Sequence, residues 1–436
     1  MPPLVMALIL VGLAAGEPDL SDLAQLRPAG VRTVVVQGAG RDAPQRGGGR
    51  VLLDRAGPGI LESLLIEPGP SRAPTRLRVI RDGRDAPTLD TTLDELAAGR
   101  VPGFPRPLVG VTAGVCHSAV PLAFERGLRV EWLGEAPEYY RIGLRVGGPS
   151  EVPQKPDALA TLWARPEARR VEGEEPAEYP LEVGARSSAL FLLPTGPRTI
   201  RSFEIGPSPE TADAWKTARL RLIWEGDDPE SPGVDLPLAS MFGRYGELGI
   251  SGSLMLDQSE GGSSWRSRFP MPYRVQGMLR IDTERPLKGR IRLRSVAGVD
   301  RDAGYFRAAS HPPDEEGRGH LVGLLSVGDP TIPAARLFLD GDDLGPWDAA
   351  LGLPRSAREP GEHGIVLGSW HTSVGANRKI WGRYRWMAAD PMTYHQSLRL
   401  EGSSGRAEDR RDVAGSRSAW FWYSEWPGNG PPANIR

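Results

Sequence analysis

Hydrophobic and polar residues alternate in short runs along most of the chain. Thr33 to Val36, Leu77 to Ile80, Leu128 to Trp132, Tyr140 to Val146, Leu220 to Trp224, Met278 to Ile281, Ile291 to Leu293 and Leu398 to Leu400 all have strand character. Side chains two residues apart share one face of an extended chain, so alternation predicts strands with one buried face. Glycine and proline, 54 and 42 residues, interrupt nearly every stretch long enough for a helix. Short helices are predicted over Thr88 to Ala98, Asp157 to Arg165 and Glu210 to Lys216, each bounded by Gly or Pro or followed by a strand-like run. Many short strands with frequent turns indicate an all-β protein of sandwich or barrel type.

The chain also resembles itself. Thr75-Arg-Leu-Arg-Val-Ile-Arg-Asp-Gly-Arg-Asp-Ala-Pro87 matches Ala218-Arg-Leu-Arg-Leu-Ile-Trp-Glu-Gly-Asp-Asp-Pro229, a strand running into an acid-Gly turn. Thr88 to Leu96 then parallels Val234 to Phe242, Ser118 to Phe124 parallels Ser267 to Tyr273, and the strands at Leu128 and Met278 follow. Four segments matched in the same order indicate a duplicated β domain. One copy is placed over roughly 30–195 and the other over 196–436, with Pro166 to Pro180 as a surface excursion near the junction.

A length of 436 residues leaves each copy enough chain to bury its own core. The net charge is −2, and the arginines are interspersed with acidic residues, which argues against a nucleic-acid partner. The short apolar run Met1 to Gly16, ending in small residues, reads as a signal peptide and predicts export, secreted or periplasmic. No later run is long enough for a membrane helix. Cys116 is the only cysteine, so no disulfide framework or multi-cysteine metal site exists. Although His117 adjoins it, a lone Cys in a strand-like stretch is expected as a small buried hydrophobe.

Certain segments resemble a known family. Ala56 to Ile60, Leu236 to Gly243, Arg268-Phe-Pro-Met-Pro-Tyr273, Gly317-Arg-Gly-His-Leu-Val-Gly323, Tyr384-Arg385 with Asp390-Pro391, and Ser418 to Tyr423 look like successive signatures of glycoside hydrolase family 172. The resemblance implies two tandem jelly-roll domains, assembly as homo-trimers or hexamers, and cleavage or transfer of fructofuranosyl or arabinofuranosyl units without a cofactor. It also implies two carboxylates from the second half. The first family motif matches Leu339-Asp340-Gly341-Asp342-Asp343, with Asp in place of Glu; the second falls at Pro360 to Gly364, where Glu362 remains. Arg307 stands where the family has His.

Asp340 and Glu362 are therefore the expected acid/base and nucleophile pair, in an unassigned order. A retaining glycosidase holds its two carboxyls about 5 to 5.5 Å apart, and the shorter Asp would need a compensating backbone shift. The acidic turn at Asp340 also reads as a calcium loop or as a plain turn, since Asp and Gly are common in turns. No compact His or carboxylate spacing accompanies His363 and His371, so no metal is expected. Six of the twelve tryptophans lie between Trp370 and Trp426. Trp370, Trp386, Arg385, Asp342 and His363 are the expected sugar contacts. In Trp420-Phe-Trp-Tyr423 alternation puts two rings on each face, at least one pair in the core. The competing expectation is a non-catalytic, carbohydrate-binding or structural double jelly roll.

Overall fold

A computed structural model describes residues 20–70, 75–148, 155–164, 171–245, 248–250, 252–258, 264–328, 335–353, 362–363, 365–374, 378–401 and 417–425. The chain is all-β, as expected, and its strands form sandwiches. The predicted strands form, and so do the helices Pro156–Ala164 and, near Glu210, Ala212–Trp215. Thr88 to Ala98 divides instead: Leu89–Thr92 is a strand, and the helix is confined to Leu93–Ala97. Thr92 accepts a hydrogen bond from the Glu95 amide while Glu95 reaches back to the Thr92 amide, a capping box that starts the helix there.

The first sandwich joins a sheet ordered Arg32–Gly38, Tyr139–Val146, Gly59–Glu67, Val115–Ser118, Val109–Thr112 to a second ordered Gln45–Arg46, Gly49–Ala56, Gly127–Leu133, Arg76–Arg81, Leu89–Thr92. The matched segments of the repeat then occupy equivalent places in the next unit. Arg219–Trp224 lies between Gly277–Thr283 and Val234–Pro237, as Arg76–Arg81 lies between Gly127–Leu133 and Leu89–Thr92. Met271–Tyr273 attaches to Arg198–Pro207 as Leu122–Phe124 attaches to Gly59–Glu67.

The unit recurs a third time within 196–436. Arg336–Leu339 lies between Ser397–Glu401 and Asp342–Pro346, Met392–Tyr394 attaches to Gly319–Gly328, and the short helix Trp347–Leu351 follows the hairpin. The second half of the chain thus holds two sheet pairs. Val234–Pro237 pairs in parallel with Tyr305–Ala309, which fuses the second and third units into one 11-stranded sheet.

The boundary expected near 195 moves accordingly. Glu175–Val183 is an edge strand paired with Leu287–Ala297, so it opens the second unit rather than forming an excursion. Pro176 and Pro180 are tolerated because an edge strand leaves one side of its backbone unpaired. Trp420, Phe421, Trp422 and Tyr423 are all buried: Trp420 and Trp422 in the third sandwich's own cluster, Phe421 and Tyr423 in the large shared core.

Candidate functional site

Asp340 and Gly341 form the two-residue loop between Arg336–Leu339 and Asp342–Pro346, with φ of 52° and 86°. Asp-Gly suits this tight hairpin because both positions need the left-handed region. The Asp340 carboxylate accepts from the amides of His395 (2.8 Å), Gln396 (2.6 Å) and Ser397 (3.1 Å), the turn leading into Ser397–Glu401. Its own amide donates to the Ser397 carbonyl at 2.9 Å.

The same device occurs in the other two units. Asp82, also with positive φ, accepts from the amides of Glu125 and Arg126 at 2.8 Å, just before Gly127–Leu133. Glu225 accepts from the amides of Arg274 (2.6 Å) and Val275 (3.0 Å), just before Gly277–Thr283, and from the Tyr305 hydroxyl at 2.8 Å. In each case an acid following the strand ties down the turn that precedes its neighbour. The Asp340 carboxylate is therefore engaged as the turn reading describes.

The other expected contacts are dispersed. Asp342 is exposed at the start of its strand, and Asp343 pairs with Arg336 at 2.6 Å. Glu362 and His363 form a short strand opposite Ser369 and Gly368, and Trp370 lies opposite Gly382; their side chains lie outside the described residues, as does the side chain of His371. Trp386, 1% exposed, is enclosed by Phe269, Tyr384 and Phe421, which leaves it no open face for a sugar.

Arg385 is buried in an ion-pair network between the first and third sandwiches. Asp390 pairs with Arg385 and, at 2.7 Å, with Arg141, and accepts from the Ser63 hydroxyl at 2.6 Å. Burial alone would raise the Asp390 carboxyl, but the two guanidiniums reverse this and hold it below its usual value. Burial pushes Arg385 down to about 10. Arg141 also donates to the Ala350 carbonyl at 2.7 Å, and Tyr139 to that of Ala349 at 2.6 Å. Arg385, an expected sugar contact, is thus committed to this network; the missed signal was Arg141, a charge on the strand Tyr139–Val146, which is buried at every position but Arg145.

A second polar cluster lies around Arg307. This residue pairs with Asp227 at 2.7 Å, and Asp227 also accepts from the amides of Trp224 and Gly233, both at 2.9 Å. Glu315, half-buried on the strand Glu315–Glu316, also interacts with Arg307. Burial raises its carboxyl despite that guanidinium. A carboxyl raised by burial is shifted in the direction that proton donation to a leaving group requires.

Cys116 is buried in Val115–Ser118, and burial pushes its thiol up to about 12, so it behaves as a hydrophobe and not a nucleophile. Among the described residues no three His, Cys, Asp or Glu side chains gather as a metal site, and no helix is long and apolar enough to cross a membrane.

Comparison with known proteins agrees with the first sandwich. No curated protein matches the chain. Among solved structures, the crystal structure of the major capsid protein P2 from Bacteriophage PM2 is similar at 11% identity, covering 62% of this chain and 99% of that one. Its TM-score of 0.20 is too low to bear on fold or function. Residues 37–147 match the family model described as the GH172 first beta-sandwich domain, which supports the likeness to glycoside hydrolase family 172 over the first sandwich.

Proposed function

We propose that this protein is exported after loss of residues 1–16 and acts on furanosides as a glycoside hydrolase or transglycosylase of the family 172 type. The observation that carries this reading is the match of residues 37–147 to the GH172 first beta-sandwich domain. The reaction takes two carboxyl groups and no cofactor. Glu362 is retained as one candidate. Glu315, raised by burial and partly open to solvent, is the best-suited proton donor among the described carboxyls of the second half. Assembly as a homo-trimer or hexamer belongs to the same proposal.

One observation favours a second reading, a carbohydrate-binding protein without turnover: the Asp340 carboxylate is engaged by three backbone amides. A panel of aryl α- and β-furanosides separates the two. Turnover lost in Glu315→Gln and Glu362→Gln but kept in Asp342→Ala supports the enzyme. Loss of one general acid/base typically costs on the order of 100-fold or more. Absence of turnover on every furanoside, with sugar binding retained in calorimetry, establishes the binder; absence of both rejects the carbohydrate assignment.

A further inference from the structure

The outward face of the second sandwich carries a cleft of about 300 Å³ that none of the residues discussed so far enters. We propose that it binds a neutral, monosaccharide-sized polyol, as a subsite separate from any catalytic carboxylates. This rests on the carbohydrate reading above and extends it to a second place on the molecule.

The cleft follows from strand register. Glu204 and Gly206 point outward from Arg198–Pro207, and Arg292 and Arg290 stand beside them on Leu287–Ala297. Gly206 contributes no side chain, so the row between Arg290 and Ser264 is open, and Pro207, Ser208 and Pro209, which follow it in the chain, line the cleft as well. The floor is polar and already ordered. Ser264 is buried and donates to Glu204 at 2.8 Å, while Arg266 and Arg292 donate to the same carboxylate at 2.9 and 3.5 Å. Groups held by one another lose little freedom when a ligand arrives.

Charge decides the ligand class. The cations on this face are each paired: Arg266 and Arg292 with Glu204, Arg292 and Arg290 with Glu178, Lys288 with Glu182, and Arg294 with Glu174. With so little cationic excess, an anion gains little over a neutral ligand. What the cleft offers is donors and acceptors side by side, with a proline ring as an apolar wall. Sugars present that combination: hydroxyls that both donate and accept, and C–H faces that pack against apolar surface. The volume is at the low end for small-molecule sites, which limits the ligand to about one ring.

Calorimetric titration of the full chain tests this, with methyl α-D-arabinofuranoside and methyl β-D-fructofuranoside as neutral probes and sodium D-glucuronate as the anionic one. The expected result is millimolar binding of at least one neutral glycoside. It should weaken at least tenfold in Gly206→Val, which fills the open row, and likewise in Ser208→Trp, which blocks the rim and keeps the strand intact. Neither variant should alter turnover of aryl furanosides. Neutral glycoside binding that persists in both variants overturns the cleft while leaving the proposed function standing. Tighter binding of glucuronate than of either neutral probe overturns the polyol assignment. No binding of any probe together with no furanoside turnover removes both proposals at once.

Discussion

Two buried imidazoles make stability depend on pH in a direction that can be worked out. His320 lies on Gly319–Gly328, and its Nε2 donates to the Leu23 carbonyl at 2.7 Å; burial pushes its pKa from 6.5 down to about 3. His117, buried in Val115–Ser118, is pushed down to about 4, again chiefly by burial. The unfolded chain takes up these protons near pH 6.5, whereas the folded chain does so only near pH 4 at His117 and near pH 3 at His320. Between those values the unfolded state holds more protons, so stability is present above pH 6.5 and is lost as pH falls toward 4. At pH 5 each ring costs on the order of 2 kcal/mol. Urea unfolding at pH 7 and pH 5 should show this loss, and His117→Gln with His320→Gln should flatten the difference even if both lower the baseline. An unchanged slope in the double variant would show that the carboxylates alone govern acid sensitivity.

The element that recurs three times is a strand, an acidic residue and a clamped turn. Asp82, Glu225 and Asp340 each use their carboxylate on amides that begin the neighbouring strand. Removing such an acceptor forfeits hydrogen bonds that hold the turn, at about 0.5 to 1.5 kcal/mol, because water can take over the exposed amides. Asp82→Ala and Asp340→Ala should therefore lower the urea midpoint, whereas the exposed Asp342→Ala should stay within about 0.5 kcal/mol of wild type. A null effect of Asp340→Ala on stability combined with lost turnover would return Asp340 to the catalytic pair.

Two copies of this element were legible because Arg76–Arg81 and Arg219–Trp224 share long alternating runs. The third was hidden because its strand, Arg336–Leu339, has only four residues, and Asp390 stands where the second copy has the apolar Phe269. Asp390-Pro-Met-Thr-Tyr394 against Phe269-Pro-Met-Pro-Tyr273 was the available signal. Side-chain roles were less legible than strands. A lone carboxylate reads the same whether amides or a substrate hydroxyl engage it, and Arg385 looked like a sugar contact until its partner Asp390, shared with Arg141 of the first sandwich, was in place.

At the scale of the molecule, the first sandwich is joined to the third by polar groups that neither can satisfy alone. Thr33 donates to the Pro391 carbonyl at 3.0 Å and accepts from the Thr393 amide at 2.9 Å, and Gln37 donates to the Leu344 carbonyl at 2.7 Å. Asp390 lies at the centre, fully buried between two arginines. Two guanidiniums against one carboxylate leave excess positive charge in a low-dielectric junction, so the network fixes how the sandwiches meet more than it adds net stability. Asp390→Asn removes the only negative charge in this trio and should cost on the order of 3 to 5 kcal/mol, read as a large drop in the urea midpoint. Replacing the trio together, as Arg141→Met, Asp390→Leu and Arg385→Met, removes the buried charges instead of stranding them. It should be less destabilising than the single change. If the triple variant proved the worse of the two, the network would be a net source of stability, and the junction would depend on its charges for cohesion as well as register.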